Sequence, residues 1–201
     1  MSASGATWLV VVILFVLLAG LLLFFAVRNR RSDDPAEPFA ADPEDRPLAA
    51  VVANPTKIDS NTRDIITGLC VELGWAEPMW LETTVEDPGT GQAAKAVEQG
   101  VDVVMACGGD GTVRSVAEAL AGTGVAMGLL PAGTGNLLAR TLGTPLEMPA
   151  ATRVALTGDD RAIDIGRVRV DGEQDERVFL VMAGTGFDAD VMGNTPEALK
   201  A

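Results

Sequence analysis

The chain has 201 residues, enough for one domain of ordinary size and an appendage, and it is acidic, with 28 Asp and Glu against 15 Lys and Arg. A surface that tracks nucleic-acid phosphates needs a basic stripe, and none is visible. There is no His at all, which removes Ser-His-Asp hydrolysis and every His-ligated metal site.

The first element is an apolar run from Thr7 to Val27, about 21 residues without a charge. A helix of that length spans roughly 31 Å, the thickness of a bilayer's hydrocarbon core. A cleaved signal peptide would want a basic start, and MSASGA has none. Arg28, Arg30 and Arg31 follow directly, so residues 1–31 are expected to be a single membrane anchor, N-terminus outside and body in the cytoplasm. Residues 32–47, rich in Pro and acid, are expected to be a disordered tether.

From residue 48 short apolar runs alternate with helical stretches. Strands are predicted at Ala49–Ala53, Met79–Thr84, Val101–Ala106 and Val125–Leu130. Helices are predicted at Ser60–Leu73, Gln92–Gln99, along Val113, Val116, Ala117 and Leu120, and at Asn136–Leu142. This alternation predicts a Rossmann-like parallel α/β domain over residues 48–158, with helices on both faces. Cys70 and Cys107 match no zinc or CxxC spacing and are expected to be reduced core thiols.

After Gly158 the rhythm changes. Ala162–Val170 and Arg177–Ala183 read as two antiparallel strands around Asp171-Gly172-Glu173. Residues 159–201 are therefore expected to open a β-rich second domain that is cut short. Two strands bury no core of their own, so either they pack onto the α/β domain or the sequence is incomplete.

The chemistry concentrates in two loops. Cys107-Gly108-Gly109-Asp110-Gly111-Thr112 joins a buried strand to an amphipathic helix. Its glycines let backbone N–H groups curl around an anion, and the following helix points its positive end into the same space. Asp110 makes sense there if it faces Mg²⁺, a hydroxyl or the loop's own amides. Pro131-Ala132-Gly133-Thr134-Gly135-Asn136 repeats the design after the next strand, so the pair predicts a groove suited to a polyphosphate. Arg114 and Arg140, early on the two helices, are candidate phosphate contacts. Gly184-x-Gly186-x-x-Ala189 and Gly89-x-Gly91-x-x-Ala94 fit a dinucleotide fingerprint only formally and read as turns, and no GxxxxGK[ST] occurs.

GGDGT at 108–112 together with PAGTGNLLAR at 131–140 resembles the catalytic domain shared by diacylglycerol kinases, sphingosine kinases and bacterial lipid kinases. Asn54-Pro55, Thr83-Thr84, Gly91-Gln92-Ala93, Asp164-Ile165-Gly166 and the 183–189 segment AGTGFDA match that family in order, from about residue 49 to 192. The resemblance implies a lipid kinase that uses ATP and Mg²⁺, and a homodimer is compatible with it; the expected anchor, which places the site near membrane lipid, makes diacylglycerol the leading acceptor, and the acidic composition argues against a nucleic-acid partner. It implies nucleotide contacts from Asn54, Thr84, Gly108, Gly109, Asp110, Gly111, Thr112, Gly133, Thr134, Gly135 and Asn136. Indirect metal roles fall to Asp110 and Asp164. The family's first loop often reads Asn-Pro-x-Ser-Gly, whereas this chain has NPTKID, with Lys57 where no Gly follows. The resemblance places the catalytic base late in the second domain, beyond residue 201. Two rival readings are an NAD kinase, which also carries GGDGT, and a non-catalytic nucleotide-binding membrane protein.

Overall fold

The structure, a computed structural model, describes residues 46–170, 176–186, 189–190 and 194. The apolar run Thr7–Val27, the tether up to residue 45, the expected turn at Asp171-Gly172-Glu173, and Phe187-Asp188 lie outside them. Among the described residues no helix is long and apolar enough to cross a membrane.

The alternating segments build one parallel sheet. Its strands are β1 (Ala49–Ala53), β2 (Met79–Glu82), β3 (Val103–Gly108) and β4 (Ala126–Pro131), in the order β2-β1-β3-β4. Ala53 lies opposite Cys107, and Gly108 opposite Pro131, so β1, β3 and β4 end nearly level at their carboxyl ends. Both central strands, β1 and β3, are buried along their whole length. That is why they read as unbroken apolar runs, the pattern of strands covered on two faces.

The helices are α1 (Ser60–Glu72), α2 (Thr90–Glu98), α3 (Asp110–Leu120), α4 (Leu137–Leu142) and α5 (Met148–Thr157). Successive strand residues divide between two cores. Ala50, Val52, Val104 and Ala106 pack with Ala93 and Ala96 of α2 and Val113, Val116 and Leu120 of α3. Ala49, Val51, Val103 and Met105 pack with Ile66 and Cys70 of α1 and Ala151 and Leu156 of α5. The helices thus cover both faces, as predicted, and the period of two along each strand sorts the side chains between them.

Local chemistry sets the helix starts. Asp59 accepts hydrogen bonds from the Thr62 amide (2.8 Å) and hydroxyl (2.7 Å), capping α1. The hydroxyl bond first, then the amide, holds that carboxyl below its ordinary pKa. At α2 the Asp87 carboxylate accepts from the Gly89 and Gly91 amides, at 3.1–3.2 Å. The helix therefore begins at Thr90, two residues before the predicted Gln92, and Gly89-x-Gly91 is a helix start rather than a fingerprint.

Two sequence expectations need correction. Helix α5, with Pro149 in its first turn, was not predicted, because MPAATRVALT is Ala-rich and shows little apolar periodicity. It packs so closely on β4 that a Cβ on Gly128 would lie 2.6 Å from the Ala155 Cβ. The two late strands are also much shorter than predicted: β5 (Gly166–Val168) pairs antiparallel with β6 (Arg177–Phe179). Val178 is buried and Leu180 packs against the α2/α3 core. The hairpin therefore leans on the α/β layers, which supply the core it lacks.

Candidate functional site

The strand order fixes where a ligand can sit. From β1 the chain crosses to β2 on one side of the sheet, and from β3 to β4 on the other. Connections that diverge in this way leave a crevice outside the carboxyl ends of the two strands, the usual ligand position in an open α/β sheet. The loops bordering it are the ones singled out from sequence: residues 54–57 after β1 and 108–112 after β3, with 131–136 next along the edge.

The first loop is a turn closed by the Lys57 amide donating to the Asn54 carbonyl, at 3.0 Å. The Asn54 amide donates to the Cys107 carbonyl (2.9 Å), tying the turn to the start of the glycine loop. Asn54 Oδ1 accepts from the Thr56 amide (3.0 Å) and hydroxyl (2.8 Å). Its Nδ2 makes no hydrogen bond among the described residues and is the end of the side chain left to offer a ligand.

The two glycine loops touch. A Cβ on Gly133 would lie 2.6 Å from the Gly109 Cα, so neither backbone can approach this closely with a side chain at 133. Asn136 braces the second loop from within: its Oδ1 accepts from the Gly133 amide (3.0 Å) and its Nδ2 donates to the Gly133 carbonyl (2.7 Å). Asn136 holds a φ of 50°, a left-handed conformation that Asn tolerates better than most side chains. Thr134 and Gly135 are exposed at the loop tip.

Asp110 joins the loops a second time. Its Oδ1 accepts from the Leu137 amide at 2.7 Å, capping α4 from 27 residues away. A Cβ on Gly135 would lie 2.6 Å from the Asp110 Oδ2, so the carboxylate lies directly over that glycine. This modifies the expectation that the second loop opens a helix with a free positive end. α4 has six residues and its first amide is taken. The open donors belong to α3, whose N-cap Gly109 supplies no side-chain bond.

The other predicted residues fall as follows. Thr112 is buried, and a Cβ on Gly108 would lie 2.6 Å from the Thr112 hydroxyl. That side chain packs against Gly108, under the loop. The Thr84 hydroxyl accepts from the Asp87 amide (3.0 Å), bracing the β2–α2 connection. Arg140 Nε donates to the Gly135 carbonyl (2.9 Å), leaving the rest of the guanidinium to solvent. Arg114 is exposed and makes no ion pair among the described residues. Asp164 is exposed ahead of β5. Among the described residues no group of three or more acidic or thiol side chains could hold a metal.

Of the two buried free thiols, Cys107 directly precedes the first glycine loop and Cys70 lies near the far end of α1. Burial pushes Cys70 up to about 11 and Cys107 up to about 12, so neither is a thiolate at neutral pH. A cavity of about 660 Å³ runs along the outer side of β4 between Leu120, Ala155 and Leu180. None of residues 108–112 or 131–136 lines it, so it is an apolar groove at the sheet edge and not this site.

What the residues fit is a phosphate chain. Open α3 amides and close-packed glycine backbone suit an anion, and Asp110 Oδ2 is a single carboxylate oxygen suited to a hydrated divalent cation. Sequence reasoning missed the helix start made by Asp87 and the bridge from Asp110 to Leu137. The Asp-Pro-Gly preceding Thr90 was the available signal for the first. Nothing local signals the second.

The pattern defining the diacylglycerol kinase catalytic domain matches residues 49–168. A diacylglycerol kinase of Mycobacterium tuberculosis is 44% identical over 97 residues, covering 48% of this chain and 31% of that protein. A Klebsiella pneumoniae protein named "Probable lipid kinase YegS-like" is 41% identical over 109 residues, covering 53% of this chain and 35% of its own length. The chain thus spans about a third of these relatives. A crystal structure of a diacylglycerol kinase from Bacillus anthracis aligns with a TM-score of 0.50 at 22% identity, over 60% of this chain and 46% of that one, a likeness of fold. With the family pattern spanning β1 to β5 and both glycine loops, this chain belongs to the diacylglycerol kinase catalytic-domain family.

Proposed function

We propose that this chain carries the nucleotide site of an ATP-dependent lipid kinase that moves the γ-phosphate of Mg·ATP to a lipid hydroxyl, with diacylglycerol the leading acceptor. The observation that carries the reading is the pair of glycine loops locked together at the carboxyl edge, beside the uncapped start of α3.

In this reading the phosphates lie against the α3 amides, with Asn54 Nδ2, Thr134 and Arg114 around them. Such catalysis is mainly positioning and charge stabilisation, which preset amides provide without reorganising. Mg²⁺ supplies neutralisation of phosphate charge when bound, and Asp110 is the residue here that would hold it through water. The attacking hydroxyl must lose its proton to a carboxylate, which the family resemblance places late in the second domain. The run Thr7–Val27, read as an anchor, keeps the site close to membrane lipid.

The alternative from another class is a nucleotide-binding membrane protein without turnover. The test is to incubate the membrane-bound native protein with γ-labelled ATP, Mg²⁺ and vesicles containing diacylglycerol, and separately with NAD. Labelled lipid is the expected product. ATP binding without labelled lipid would replace the kinase reading with the alternative, and labelled NAD would make the chain an NAD kinase.

A further inference from the structure

We infer that Lys57 is a phosphate-binding side chain of the nucleotide site, doing with one cation what neither glycine loop can do for itself. The inference rests on the nucleotide reading above and extends it to a residue outside the two glycine motifs.

Charge is the first argument. Residues 107–112 and 131–136 contain no Lys or Arg, and their one charged side chain is Asp110. A triphosphate therefore meets amide dipoles and a carboxylate, on a chain whose net charge of −13 repels polyanions at long range. A cation at the carboxyl edge has to offset this, and few there are uncommitted. Arg63 is held by Glu82 at 3.5 Å and lies over the Trp80 ring, 4.6 Å from its centroid. Arg140 Nε is used by the Gly135 carbonyl. Lys57 is exposed and makes no hydrogen bond or ion pair through its ammonium among the described residues.

Position is the second argument. Lys57 closes the turn after β1, and a four-residue turn keeps its ends within about 7 Å. Asn54, at the other end, is bonded to the Cys107 carbonyl, directly beside Gly108. Neighbouring strands lie about 4.8 Å apart, so the turn borders the crevice between β1 and β3 on the side opposite the second glycine loop. A flexible four-carbon stem carries the ammonium from there towards phosphates lying over α3. The phosphate chain would then have amides beneath it, Arg114 on one side and Lys57 on the other.

The experiment titrates the full chain, as wild type, Lys57→Ala and Lys57→Arg, with Mg·ATP and separately with adenosine. One charge-assisted contact is expected to make Lys57→Ala bind Mg·ATP roughly tenfold more weakly. Adenosine affinity and melting temperature should stay at wild-type values, and Lys57→Arg should recover most of the loss. The difference between wild type and Lys57→Ala should also shrink as salt is raised. Equal Mg·ATP affinity in wild type and Lys57→Ala would overturn the inference alone. So would an equal loss of adenosine binding, which would mark Lys57 as a structural residue. If the wild type binds neither compound, the nucleotide reading falls and this inference with it.

Discussion

Gly133 and Gly109 face each other unequally. A Cβ on Gly133 would lie 2.6 Å from the Gly109 Cα, while one on Gly109 would lie 3.5 Å from the Gly133 Cα, an ordinary contact. Gly133→Ala therefore has to push the loops apart, at a cost on the order of 1–3 kcal/mol. It should lower the melting temperature and weaken Mg·ATP binding, whereas Gly109→Ala should leave the melting temperature near wild type. Equal melting temperatures for the two variants would refute the close-contact account. At this scale the glycines were legible because backbone crowding admits few other residues. The job of Asp110 was not. A carboxylate in a glycine loop has many potential partners in a sequence, and the one it takes, the Leu137 amide, is a meeting of two loops that only the sheet brings together.

That bridge has its main consequence for an element. α4 is six residues long and has no cap of its own from Asn136, so it depends on a side chain at the start of α3. Loss of an N-cap bond costs about 1 kcal/mol, concentrated in the first turn. Asp110→Ala should therefore speed hydrogen exchange at the Leu137 amide, while α1, capped by Asp59, keeps its protection. Unchanged exchange at Leu137 would show that the cap contributes nothing. The parallel strands were read within about two residues, and for the central β1 and β3 burial on both faces is what leaves an apolar run to read. α5 was hidden for the opposite reason. Its buried face rests on Ala151 and Leu156, and small residues packing against Gly128 leave little hydrophobic contrast to detect.

Across the whole molecule, local patterning served the α/β layers well and the late hairpin poorly. β5 and β6 owe their place to Val178 and Leu180 meeting a core built by residues far earlier in the chain, a dependence that strand periodicity cannot express. If residues 1–31 are the anchor, deleting them should move the protein from the membrane pellet to the supernatant after an alkaline wash, with Mg·ATP affinity unchanged. Retention in the pellet would defeat the anchor reading. The contact between the glycine loops also bears on how fast and in how many steps a ligand is taken up. Because Gly109 abuts Gly133 while Asp110 holds Leu137, the β3 and β4 loops form one mechanical body, fastened at two points. A nucleotide that shifts either loop must shift both, so its arrival registers as a single relaxation rather than as two successive adjustments.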